Sequence, residues 1–382
     1  MKKLIKTEHI EWVKMLPLSK VKYPLMISGI ESVTMKELLK MGFSLKHMDL
    51  FGHDGDYYGP RSLKAAVAGY YKVNPDNIAL IGGANMAIYM ACAALLESGD
   101  EVIIESPSYE PIRRAAESMG AVIKLLPRRM ENRYQPDPAE LKRLITSKTR
   151  LILTTNLHNP SGIAMDDDVM EGLIDIAEKK GVLLAVDEIY RDFLVVQKTL
   201  KQKPAPLFTR SPNVITLSSL TKVYGLGYMR AGWLMAEPKL VYRFLRTYDY
   251  MTASDAYPAQ MIALFCLRRI NTLIERTRKI IGNSLEIMKE WMADQEYKQQ
   301  HLPERKKIAW CPPDGGITCF IRLPVGLDAF KFINRLYKRY DTLVVPGDFF
   351  GTPGHIRIGF GIKERLLRQG LSRIEKCLNE MR

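Results

Sequence analysis

The residues best suited to chemistry lie between Leu217 and Trp233, in LSSLTKVYGLGYMRAGW. The run before them, Val214-Ile-Thr-Leu217, is apolar and β-branched and is expected to be a buried strand. Lys222 follows at the strand's carboxyl end. An amine withdrawn from water at such a place is a nucleophile. The hydroxyls of Ser218, Ser219 and Thr221 and the guanidinium of Arg230 flank it, and such groups can hold a phosphate. An amine beside a phosphate cup suits pyridoxal phosphate, whose aldehyde forms a Schiff base with lysine while its anion anchors it. Taken alone, the segment reads equally well as a surface loop, because short motifs match by chance.

The elements that would position these residues can be read along the chain. The first twenty or so residues form an amphipathic arm, with Ile10, Trp12, Val13 and Leu16 on one helical face. An apolar run, Met26-Ile-Ser-Gly-Ile-Glu31, and a short helix from Val33 to Met41 follow. The stretch 51–60, FGHDGDYYGP, is expected to be a loop and a domain boundary. Strands are expected at 78–81, 101–105, 122–126, 150–155, 182–186 and 214–217, with helices at 62–71, 86–96, 111–119, 136–145 and 166–180. That alternation implies a mainly parallel sheet with helices on both faces. Ligands of such sheets bind beyond the carboxyl ends of the strands, where Gly83, Tyr109, Asn159, Asp187 and Lys222 all fall. The Gly82-Gly83 turn opens a helix and presents backbone N–H groups to an anion, although such turns also occur without a ligand. After 240 the pattern changes to long helices at 240–250 and 257–294. A smaller α+β unit begins near 304, with strands at 308–311, 317–323, 342–346 and 355–360 and helices at 328–340 and 364–380. It is expected to pack with the N-terminal arm.

Composition narrows the classes. A chain of 382 residues with 47% hydrophobic and 26% charged residues is an ordinary globular chain large enough for two domains. No apolar run approaches the roughly 20 residues that span a bilayer, and no secretory leader is visible. The five cysteines form no CxxC and have no close histidine, which suggests neither a disulfide framework nor a metal site. The cytoplasm is the expected location. The net charge of +14 is spread along the chain among 42 acidic residues, and no basic run is interleaved with aromatics. Nucleic acid is therefore not an expected partner.

The motifs GGANMA at 82–87, ESPSYEP at 105–111, HNPSG at 158–162, VDEIY at 186–190, SLTK at 219–222, Arg230, VPGDFFG at 345–351 and HIRIGF at 355–360 stand in one order. Together they resemble the class I/II (fold type I) pyridoxal-phosphate aminotransferases, over roughly Tyr57 to Phe360. The resemblance implies an α/β fold with a mostly parallel seven-stranded sheet sandwiched by helices. This large domain would span 50–275, with residues 1–49 and 276–382 forming a smaller α+β domain. It implies that Lys222 carries the Schiff base and moves the substrate's proton. Asp187 would pair with the protonated pyridine nitrogen. Asn159 and Tyr190 would bond the phenolic oxygen, and Tyr109 would stack on the ring. Gly83, Ala84, Asn85, Ser219 and Arg230 would hold the phosphate. Arg357 would take the substrate α-carboxylate bidentately, with Gly29 offering a backbone contact and Asn159 close by. Each residue also has a plainer reading: Asp187 as a helix cap, Asn159-Pro160 as a turn, Tyr109 as core, Arg357 as an edge-strand charge.

The sequence departs from the family in places. Ala84 stands where a hydroxyl residue is common, and Ser161 replaces a threonine. Tyr57 and Tyr58 sit close before the GPRSLK segment at 59–64, so either is a candidate to reach a neighbouring subunit's phosphate. His158 is expected to be a loop residue. The implied activity is transfer of an amino group between an L-amino acid and a 2-oxo acid, in a homodimer with shared active sites. The alternative is a lyase, decarboxylase or arginine-modifying cyclase or oxidase on the same fold, since the cofactor serves all of these. The SGIE segment at 28–31 favours keeping it open, because Glu31 could face a basic side chain or cap a helix.

Overall fold

A computed structural model describes residues 5–45, 56–199 and 204–381. Residues 51–55 of the expected loop and the expected boundary at 49–50 lie outside the described residues. The expected boundary at 275–276 falls inside the helix Ile270–Ile281.

The large sheet has seven strands: β1 (Ile78–Ile81), β2 (Glu101–Ser106), β3 (Val122–Pro127), β4 (Thr149–Thr155), β5 (Leu183–Asp187), β6 (Val214–Ser219) and β7 (Gly232–Met235). Their order is β1-β7-β6-β5-β4-β2-β3. The strands from β6 across to β3 run parallel, and β7 lies antiparallel between β6 and β1. Alternate residues face opposite apolar layers. Ile103, Ile152, Leu184 and Trp233 join one cluster, while Val102, Ile104, Leu151, Leu153 and Leu234 join the other. Both faces are thus buried, which is why the parallel strands read as continuous apolar runs.

The expected parallel strands are found within a residue or two. The return strand β7 was not legible, because four residues opening on glycine carry too little pattern. The expected helical run 257–294 is three helices, Tyr257–Leu267, Ile270–Ile281 and Ser284–Lys298. Gly282, at φ +47, turns the chain between the last two.

The second sheet is antiparallel and comprises β8 (Ala309–Trp310), β9 (Thr318–Arg322), β10 (Val345–Pro346) and β11 (His355–Gly359), in the order β10-β11-β9-β8. The expected strands at 308–311 and 342–346 shrink to two residues each. The N-terminal stretch binds this unit: Leu343 N donates to Tyr23 O at 3.1 Å and Gly359 N to Leu25 O at 2.6 Å. It then reaches the large sheet, where Ile30 N donates to Lys222 O at 3.3 Å and Val33 N to Gly225 O at 2.9 Å. The approach at β11 requires glycine, since a Cβ on Gly359 would collide with the carbonyl oxygen of Ile27.

Gly359→Ala should therefore cost about 1–3 kcal/mol, the range for overpacking. Gly69→Ala, in an open position of the helix Arg61–Tyr71, should instead stabilise by about 0.5–1 kcal/mol. Urea unfolding of the two variants against the parent measures both signs.

Candidate active site

The strand order brings the expected residues to one edge of the sheet. Gly83 follows β1, Tyr109 follows β2, Asn159 follows β4, Asp187 ends β5 and Lys222 follows β6. Asp187 is level with Thr155 on one side and Leu217 on the other. Beyond these ends lies a cleft of about 180 Å³ whose lining includes Ala84, Asn85, Tyr109, Asn159, Asp187, Tyr190, Lys222 and Arg230. Gly83, Ser219, Gly29 and Arg357 are not part of that lining.

At one end the chain builds an anion cup. Gly83, at φ +94, caps the helix Ala84–Leu95, so the helix's first N–H groups open onto the cleft. Arg230 lies directly over Gly83, where a Cβ would have no room beside its guanidinium. Its Nη2 donates to Gly82 O at 2.8 Å and its Nη1 to Gly227 O at 3.2 Å. Ser219 is buried, and its hydroxyl accepts from Thr221 N at 3.2 Å. Thr221 rather than Ser219 therefore lines the cleft. Sequence reasoning missed Tyr248, whose hydroxyl accepts from Gly82 N at 3.1 Å and donates to Asp255 at 2.8 Å.

In the middle stands Asp187. Its Oδ1 accepts from Ile189 N at 3.0 Å, and among the described residues it forms no ion pair. Burial pushes its pKa from 3.8 up to about 7, against the N–H of Ile189 and the charge of Lys222, which pull it down. Glu105 adds to the rise. That second carboxylate is fully enclosed and neutralised by Arg128 at 2.7 Å, with Thr154 and Thr155 donating to it at 2.5 Å each.

At the far end Arg357 is 2% exposed. Its Nη1 donates to Asn159 Oδ1 at 3.2 Å and its Nη2 to Met26 O at 2.8 Å, while Nε is buried with no partner. Burial lowers its pKa. A buried guanidinium without a carboxylate is expensive, and the free Nε adds to that cost. The group is built to receive an anion.

Lys222 is half-buried, and its Nζ donates to Ser28 Oγ at 3.1 Å. Tyr190 donates its hydroxyl to Ser28 O at 3.0 Å. Gly29 lies against the Lys222 side chain, with its Cβ position 3.6 Å from Cδ. Ser28 was missed as a functional residue, although the SGIE segment drew attention. Glu31 does not face the cleft: its carboxylate lies 3.9 Å from Lys363 and lines a separate groove with Arg276. His158 is a loop residue, as expected, but a buried one, 1% exposed. It donates Nε2–H to Pro107 O at 2.9 Å and accepts from Ser161 Oγ at 2.6 Å. His9, from the helix Glu8–Met15, was also missed. It stacks on Phe349 at 5.2 Å and stands edge-on to Tyr109 at 5.9 Å. Burial, with the charges of Arg357 and Lys222, drops its pKa to about 3. Tyr58 donates to Asp249 at 3.1 Å, and Tyr57 is 65% exposed.

A family model for aminotransferase class I and II matches residues 31–374. A capreomycidine synthase from Streptomyces vinaceus is 30% identical, covering 92% of this chain and 88% of that protein. An aspartate aminotransferase from Pyrococcus horikoshii is 28% identical, covering 84% and 81%. A solved PLP-dependent aminotransferase from Streptococcus suis matches with a TM-score of 0.87 and 26% identity, covering 100% of this chain and 99% of that one. The chain belongs to the class I and II aminotransferase family. As the motifs imply, it is a pyridoxal-phosphate-dependent aminotransferase. No helix among the described residues is long and apolar enough to cross a membrane.

The cleft fits that cofactor on three counts: an anion cup, an amine, and a buried carboxylate without a cation. The last has a thermodynamic consequence. Asp187 has a raised folded-state pKa, so the folded apoprotein binds the extra proton between pH 3.8 and about 7, and its stability falls as pH rises through that window. Asp187→Asn removes the penalty. Without cofactor, this variant should melt higher than the parent at pH 8 and equally near pH 4. With cofactor, its turnover should fall roughly 10²-fold or more. Calorimetry on both forms tests the first part, and steady-state rates test the second.

Proposed function

We propose that this chain transfers an amino group between an L-amino acid and a 2-oxo acid, with Lys222 as its catalytic base. The observation that carries the reading is Arg357, a buried guanidinium with no ion pair among the described residues, which bonds Asn159 in the wall of the cleft that Lys222 enters. Arg357 would take the α-carboxylate bidentately, with Asn159 beside it and the Gly29 backbone facing it. Arg230 and the N–H groups at Gly83, Ala84 and Asn85, with Ser219 behind them, would hold the phosphate. Asp187 would hold the ring nitrogen's proton, Tyr109 would cover the ring, and Asn159 and Tyr190 would meet its phenolic oxygen. When bound, pyridoxal phosphate supplies the electron sink that acidifies the substrate's Cα–H. Lys222 Nζ then takes that proton and returns it on the other side of the amino nitrogen.

Two units would frame this cleft, 50–275 and the pair 1–49 with 276–382. A second copy of the chain would complete the anion cup. Supporting this, Tyr228, Tyr242 and Tyr250 are 84%, 64% and 92% exposed on the segments around Arg230 and Arg246. Arg246 sits 4.9 Å over Tyr58 and 5.4 Å over Tyr242. Exposed aromatic groups of this kind mark interfaces.

The capreomycidine synthase relative favours a second reading, in which the same residues serve a different bond change. Products separate the two: transamination yields a 2-oxo acid and passes nitrogen to an added 2-oxo acid, and the alternative does not. The test is the visible spectrum of the cofactor-loaded protein titrated with a panel of amino acids. Bleaching by one of them, reversed by a 2-oxo acid, supports transamination. Absence of any band would overturn the reading. Lys222→Ala should cut turnover by roughly 10³-fold or more while the protein still binds cofactor noncovalently. Arg357→Ala should raise KM about ten- to a hundredfold, with a smaller effect on kcat.

A further inference from the structure

One short segment touches the reactive groups on the substrate side of the cleft. Met26 O accepts from Arg357 Nη2 at 2.8 Å, and Ser28 O accepts from Tyr190 at 3.0 Å. Ile30 N donates to Lys222 O at 3.3 Å, and the hydroxyl of Ser28 accepts from Lys222 Nζ at 3.1 Å. The lysine is therefore held at both its backbone and its amine by residues two apart in sequence.

The lysine side chain is long, and about 2 kcal/mol of rotamer entropy opposes any single posture. Proton transfer needs the base within about 2.6–3.2 Å of its target. A hydroxyl anchored by its own backbone reduces that freedom. Ser28 is so anchored: its carbonyl is held by Tyr190, and the chain before it is pinned where Gly359 N meets Leu25 O at 2.6 Å. Its neighbour Gly29 leaves the lysine stem space to lie alongside, since a Cβ there would be only in ordinary contact at 3.6 Å.

We infer that Ser28 is a positioning residue for Lys222: its hydroxyl receives the amine whenever the amine is free and sets the place from which Nζ takes the substrate's Cα proton. The inference rests on the aminotransferase reading of Lys222. It assigns the N-terminal segment a part in the chemistry, beyond the wall of the pocket.

The experiment compares the parent with Ser28→Ala and Ser28→Thr in two states. In the apoprotein, acetic anhydride labelling of Lys222 is followed by peptide mass spectrometry, with exposed lysines as the internal reference. In the loaded enzyme, kcat and KM are measured with the amino acid that bleaches the visible band, protonated or deuterated at Cα. Ser28→Ala should label severalfold faster. Its kcat should fall about tenfold, as expected for the loss of one hydrogen bond. KM should stay within about twofold, because ground-state binding is untouched. The isotope effect on kcat should rise, since proton transfer alone is slowed. Ser28→Thr keeps the hydroxyl and should stay near the parent in every measurement. Parent-like labelling and kcat in Ser28→Ala would overturn the inference. So would an equal loss in both variants with an unchanged isotope effect, which is the mark of a merely structural role. If the parent itself shows no band and no transamination, the reading of Lys222 fails, and the apoprotein labelling still decides whether Ser28 holds the amine.

Discussion

Asp187 in the wall of the cleft and Arg357 beside that wall are both buried, and neither forms an ion pair among the described residues. They stand on different sheets: Asp187 ends β5 and Arg357 lies within β11. Each is costly to bury alone. The structure tolerates both because two extensive apolar layers enclose the large sheet and the small sheet is packed against the same core. By contrast, Glu105 is satisfied by Arg128 and two threonines, so its charge bears on Asp187 without competing for a ligand.

Holding the two charges at a working separation falls to a strip of chain outside both sheets. Residues 23–33 bond to β11 at one end and to the Lys222 loop at the other. Arg276 locks the strip's far end by donating to the carbonyls of Glu31 and Ser32 at 3.0 Å each and to Glu37 at 2.7 Å. Asn159 adds a direct tie, since it lines the cleft and accepts from Arg357. Arg357 is also tied to the segment that carries Ser28, through Met26 O at 2.8 Å.

The sequence was most legible where period and chemistry agreed. The parallel strands announced themselves as apolar runs, and the residues just past them come together, because a doubly wound sheet gathers strand ends at one edge. Asp187, Tyr109, Asn159, Lys222 and Arg230 all line the one cleft. The misses share a cause. β7, Ser28, His9 and Tyr248 matter through partners far away in the chain: Trp233 through Leu80 and Ser218, His9 through Tyr109 and Phe349. No local pattern encodes such pairings. Ser219 shows the same limit: its type suits a phosphate, and no local pattern reveals that its hydroxyl also accepts from Thr221 N in the turn into Lys222.

The residues that line the cleft follow the carboxyl ends of the strands, which the sheet register holds side by side. The cover over Tyr109 comes from the N-terminal helix, whose first N–H groups are capped by Glu110 at 2.6 Å and 3.1 Å and whose His9 stays neutral between aromatic rings. Among the described residues lining the cleft, the basic side chains are Lys222 and Arg230. One framework of this kind is shared with relatives whose names are as different as aspartate aminotransferase and capreomycidine synthase.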